Sequence, residues 1–214
     1  SVRRELIAAR HIPYTAQVAP TVVATEQGDY VQVWRVAGVS FESADDAALN
    51  SWHERLNALL RNLASPNVAL WTHVIRRRER GYPAGACPPG FAAELNEHYR
   101  VRLAGETLMV NELYVSLVYR PQPTALGAVA LRLFGVADEQ AALAAQAEAI
   151  EACGKLAAQL EAGLAEADPE PLGLEVVGGL TRSRLIEFLA LLVNGERQLW
   201  PLPRAPLSEV LATS

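Results

Sequence analysis

Leu108-Met109-Val110-Asn111-Glu112-Leu113-Tyr114-Val115-Ser116-Leu117-Val118-Tyr119 is the stretch on which the fold turns. Apart from Asn111, Glu112 and Ser116 it is apolar at both alternations, which predicts a central strand covered on both faces. Arg120-Pro121-Gln122-Pro123 ends it, because proline has no N–H to offer a ladder. Working back from it, Phe91, Leu95, Tyr99 and Leu103 fall four apart and predict a helix from Phe91 to about Leu103. Gly81 to Gly90 holds three Pro, three Gly and Cys87 and reads as loop. Before it, Val68 to Ile75 is a short apolar strand running into Arg76-Arg77-Arg78-Glu79-Arg80.

Further upstream, Leu49, Trp52, Leu56, Leu59, Leu60 and Leu63 share one face of an amphipathic helix. Ser43 with Asp46 resembles its capping box, and Ser65-Pro66 stops it. Residues 21–37 read as a β-hairpin: Thr21–Thr25 and Tyr30–Trp34 are β-branched or aromatic runs, with Gly28-Asp29 as the turn. Downstream, residues 138–166 predict a long Ala-rich helix of about 40 Å at 1.5 Å per residue. Its expected buried line is Leu143, Ala147, Ile150, Cys153, Leu156 or Ala157, Leu160 and Leu164. Eight acids and one Lys between Asp138 and Glu170 make its outer face negative. Leu172–Val177 reads as another strand. Leu185–Val193 reads as a helix ended by Asn194-Gly195, and Trp200–Pro206 as extended chain. Helices interleaved with hairpins predict an α+β domain, with helices packed on an antiparallel or mixed sheet. Residues 1–20 are then an N-terminal arm, 21–195 the core, and 196–214 a Pro-rich segment.

Composition narrows the function classes. The 214 residues are 50% apolar and 20% charged, a globular balance for one domain. The longest uninterrupted apolar stretches, such as Leu189–Val193, fall far short of the ~20 residues of a membrane span. Residues 1–107 carry 12 basic residues against 11 acids, a net +1, and residues 108–214 carry 7 against 13, a net −6. With a net charge of −5 and a pI near 5.4, a duplex-binding domain is disfavoured. Cys87 and Cys153 form neither a metal-ligand spacing nor a disulfide framework, which suits a reducing cytosol. No apolar h-region of a signal peptide follows Ser1. The start without Met and the uncapped stop at Ser214 are expected of a piece of something longer.

Catalytic chemistry finds little purchase. A P-loop needs GxxxxGK[ST], but Gly154-Lys155 is followed by Leu156 and preceded by Ala149 where the first Gly should sit. His53-Glu54-Arg55-Leu56-Asn57 starts like HExxH and lacks the second His. His73 in a strand reads as a packed histidine with one hydrogen bond. Cys87 has no activating neighbour in sequence. Glu112 inside an apolar strand is either a buried general base or the partner of an Arg on the next strand. The Arg76–Arg80 run is either a solvated strand end, a contact for anionic lipid or an acidic partner, or, with Trp71 and Tyr82, a single-strand nucleic-acid platform. On a strand its alternate side chains point to opposite faces.

Several stretches in the same order resemble the N-terminal region of the CagE/TrbE/VirB family of type IV secretion and conjugal-transfer ATPases, on its VirB branch. They are His11–Tyr14, Gly28–Trp34, Asn50–Asn57, Val68–Arg78, Met109–Tyr114 leading to Tyr119-Arg120-Pro121, Val193–Glu196 and Pro201–Leu207. Residues 124–180 match least. The resemblance implies a non-catalytic N-terminal domain that anchors a secretion motor to the inner-membrane complex, for export of protein or DNA. It implies no active-site residue here, and no cofactor, since ATP and Mg belong to a P-loop domain C-terminal to this region. The implied partners are other secretion-system subunits, including a short inner-membrane protein, and further copies of the full-length protein. Peripheral membrane association at the cytoplasmic face of the bacterial inner membrane goes with them. Nucleic acid is not an expected partner. The candidate contact residues are Arg76, Arg77, Arg78 and Arg80, together with Val23 on a hairpin edge open to strand addition.

Overall fold

A computed structural model describes residues 8–42, 44–79, 82, 85, 87–122 and 139–212. The doubly apolar stretch Leu108–Tyr119 is strand β5, with β3 (Tyr30–Val36) on one side and β4 (Val68–Glu79) on the other, both antiparallel. Outside β3 lie β2 (Val22–Thr25) and β1 (Tyr14–Ala19), giving the order β1-β2-β3-β5-β4. A short β6 (Pro169–Pro171) continues the row beside the end of β3. β7 (Leu174–Val177) and β8 (Leu180–Ser183) form a separate hairpin. The helices are α1 (Asp46–Leu63), α2 (Phe91–Ala104), α3 (Glu139–Gly163), α4 (Arg184–Asn194) and α5 (Leu207–Leu211). The fold is α+β on an antiparallel sheet.

Each face of the sheet has its own layer. On one, α4 packs Leu185, Phe188 and Leu189 against Val31, Val33 and Tyr114. On the other, α1 and α3 bring Leu59, Leu63 and Leu160 onto Trp34 and Leu117. Strand alternation sorts these side chains, so a one-residue slip of β5 would exchange the two cores. At the crossing of α1 and α3, a Cβ on Gly163 would stand 2.6 Å from Leu59 Cδ1, so glycine is what allows the helices this close. Ser183 Oγ accepts the Ile186 N–H to start α4, and Gly195, at φ 75°, ends it in the left-handed region.

Several expectations change. Residues 14–19 are a strand rather than part of an arm; their two register shifts against β2 break the alternation that would have announced it. β2 is therefore interior, and Val23 is 0% exposed beneath α4 rather than lying on an open edge. Ser43 lies outside the described residues; Asp45 caps α1 instead, its Oδ1 accepting the Ala48 N–H at 2.8 Å. Asp138 also lies outside them. Along α3, Ala149, Cys153 and Leu160 are buried, whereas Leu143 and Ala147 are exposed. The strand expected at Leu172–Val177 is present as β7, and Gly178-Gly179 turns it into β8, which is not expected from the sequence. The Pro-rich segment returns to the core: its backbone pairs with β8, and α5 buries Leu207 and Leu211 against the first core cluster.

Candidate functional site

β4 and β5 pair without a break from Val68↔Tyr119 to Glu79↔Leu108. Unbroken register puts Trp71, His73, Ile75 and Arg77 on the α4 side of β4, and Thr72, Val74, Arg76 and Arg78 on the other. The near end is covered: Val68 and Leu70 pack with α1, and Ile75 with the α4 core. Beyond the helices no other described element packs on the ribbon's outer stretch, and α2 at its tip buries none of its residues. Trp71 is 61% exposed, Val74 63% and Phe91 79%. Among the described residues no strand pairs with the outer side of β4.

The Arg run is thereby divided. Arg76 and Arg78 are exposed on the uncovered face. Arg77 turns to the α4 side, where its Nε donates to Glu112 Oε1 at 2.8 Å and its guanidinium also pairs with Glu79. Arg80 lies outside the described residues. Val23, buried under α4, makes no surface at all. Trp71 and the pair Arg76/Arg78 occupy opposite faces, so they do not build one stacking platform with the cations beside it.

Glu112 is the buried acid of the domain's far end. It accepts from Arg77, from Tyr114 Oη at 3.0 Å and from Arg197, which follows α4. Burial alone would raise its pKa; the hydrogen bonds from Arg77 and Tyr114 and the charges of Arg197 and Arg77 outweigh it and hold the carboxyl below its ordinary value. A carboxylate so paired is a poor general base, and of the two sequence readings the ion pair is the one the geometry carries. Arg197 had no signal in the sequence, since it stands 85 residues from Glu112. Asp29 in the β2–β3 turn is held low in the same way by a two-pronged Arg120, at 2.7 and 2.6 Å.

The other candidates are scattered. His73 shares a 2.9 Å hydrogen bond with Ser116 and meets Phe188 edge-on, and burial lowers its pKa. His53 is exposed on α1, Cys87 is exposed, and Cys153 is buried under α3 with its thiol pushed up to about 11. Among the described residues no three His, Cys, Asp or Glu side chains group as metal ligands. None of their helices is long and apolar enough to cross a membrane. The described acids Glu112 and Asp29 are both held in ion pairs with arginines.

The family described as type IV secretion system ATPase VirB4/TrbE, N-terminal domain, matches residues 21–126. The type IV secretion system protein virB4 of Brucella abortus is 36% identical over 215 residues, covering 96% of this chain and 25% of that protein. Its counterpart in Bartonella quintana is 36% identical over 94% of this chain and 26% of its own length. The type IV secretion system protein PtlC of Bordetella pertussis is 33% identical over 99% of this chain and 26% of its own. The chain thus spans about a quarter of the length of the curated relatives it matches. It belongs to the VirB4/TrbE family of type IV secretion system ATPases and corresponds to that family's N-terminal domain.

Proposed function

We propose that this domain is the non-catalytic docking unit of a type IV secretion ATPase. It anchors the motor to the inner-membrane secretion complex through other subunits, among them a short membrane protein, at the cytoplasmic face of the membrane. Further copies of the full-length protein are partners too. ATP and Mg act elsewhere in the protein, because these 214 residues contain no GxxxxGK[ST]. The observation that carries the reading is that virB4 relatives match nearly all of the chain while the chain spans only about a quarter of each of them. It is supported by the pairing of Glu112, the strongest catalytic candidate, with Arg77 and Arg197.

Two measurements test it. The purified 214-residue chain is expected to turn over no ATP, and steady hydrolysis above a heat-treated control sinks the non-catalytic half. For the anchoring half, the full-length protein with and without residues 1–214 is floated with inner-membrane vesicles carrying the secretion complex. Loss of co-flotation on deletion is the expected result, and equal co-flotation overturns the docking role. The nucleic-acid reading loses support from the split Arg run. A single-stranded oligonucleotide is expected to bind the domain weakly, with no steep salt dependence.

A further inference from the structure

We propose that the outer edge of β4 is a strand-addition site for an extended segment of a partner protein, acidic on one side and apolar on the other. This rests on the docking reading above and names the surface that does the docking. Twelve residues of regular strand end the sheet there, with their outward backbone groups unpaired by any strand among the described residues. Such an edge is a template for main-chain pairing, and alternate side chains then set specificity.

The two faces say what the segment must carry. Arg76 and Arg78 are two residues apart on one face, about 7 Å at the rise of a strand. Neither is ion-paired among the described residues, unlike Arg77 between them. Carboxylates at two alternate positions of an added strand would stand opposite both. On the α4 side, Trp71 and His73 border a groove of about 410 Å³ that α4 closes with Leu189 and Leu192. Apolar side chains of the added strand fall into it.

A charged edge also serves simply to repel other strands. Within β4 the charge is confined to residues 76–79, while Val68–Ile75 offers Trp71 and Val74 to solvent. A second copy of β4 is a poor occupant: centred on Arg77 it sets Arg76 against Arg78. The face that holds them, from Val68 to Arg78, has no acid to match them in another register.

The probe is a labelled octapeptide, Glu-Thr-Glu-Val-Thr-Val-Thr-Leu, written to run antiparallel from Arg78 to Trp71 and followed by fluorescence anisotropy. Saturable binding is expected. An isomer with both Glu residues moved one position onto the apolar side has the same charge, and is expected to bind about tenfold more weakly. The double variant Arg76→Glu/Arg78→Glu is expected to lose about the same factor with an unchanged melting temperature. N-methylation of one alternate set of peptide amides is expected to abolish binding while methylation of the other set leaves it. Equal binding of the two isomers, or equal effects of the two methylated sets, overturns the site. If no probe binds while the domain still carries the motor to membranes, docking stands and this edge is only a guard. If the domain is dispensable for membrane attachment, the docking reading fails by its own test, and saturable, register-specific probe binding still upholds the edge.

Discussion

The β4–β5 ribbon is one ladder in two environments. From Val68 to Leu70, opposite Leu117 to Tyr119, it is clamped between α1, α3 and α4, and Leu117 is fully buried. From Arg76 to Glu79, opposite Leu108 to Asn111, the same pairing continues with no helix among the described residues on either face, and α2 at the tip buries none of its residues. Backbone pairing is thus indifferent to burial in this ribbon, and its stability and its availability to partners are divided along its length. The covered half holds the domain together. The uncovered half, with the open edge between them, presents surface.

That contrast is most sharply tested by its largest expected effect. Leu117→Ala opens a cavity in the core that α1 and α3 make with the sheet and is expected to cost about 2–5 kcal/mol in denaturant unfolding. A cost below about 1 kcal/mol would mean the two-sided core is not where stability sits. Gly163→Ala, at the α1–α3 crossing, sets a methyl against Leu59 Cδ1 at 2.6 Å and Leu59 Cβ at 3.0 Å. Overpacking of about 1–3 kcal/mol outweighs the helix-propensity gain of up to about 1, so a net loss of about 1 kcal/mol is expected.

Glu112 sits at the boundary between the two halves, and its effect should be intermediate. Its folded pKa is lowered, so its contribution is complete above the ordinary carboxylate value of 4.5 and is lost as pH falls through the folded value. Glu112→Gln is expected to cost about 1 kcal/mol at neutral pH, discounted because Arg77 and Arg197 are well exposed. The variant should show a shallower loss of stability below pH 4.5 than the parent, and parallel acid titrations would remove Glu112 from the account. Smallest of all, Phe91→Ala on α2 is expected to move unfolding by no more than about 0.5 kcal/mol. A loss above 1 kcal/mol would show that the tip helix is covered in solution.

Much of this architecture is legible in the chain itself. β5 runs Leu108–Tyr119 as its double apolar pattern predicts, and α1, α2 and α4 fall within a few residues of their periodicities. What the pattern does not carry is cover. Leu49, Leu56 and Leu60 lie on the apolar stripe of α1 yet stay exposed, because periodicity marks a face and not the extent of what packs on it. β1 escapes notice because bulged pairing blurs its alternation, and with it the knowledge that β2 is no edge. For the site, the Arg run is visible in the sequence and its alternation foretells the split. The partner of Arg77 is one of two readings for Glu112, and Arg197 reaches it only through the return of the chain after α4. The openness of β4 depends on strand order, which no local pattern encodes.

That return has a mechanical side. The strap after α4 pairs with β8 through Ser183 N–H to Trp200 O and Leu202 N–H to Thr181 O. Then α5 seats Leu207 and Leu211 against β1 and the short 3₁₀ turn Ala8–His11. A load applied at Ala212 therefore meets a riveted joint instead of a slack tether. A pull or twist there is expected to load the β1 border of the sheet first, because close-packed interiors transmit strain, while β4 forms the opposite border of the strand order.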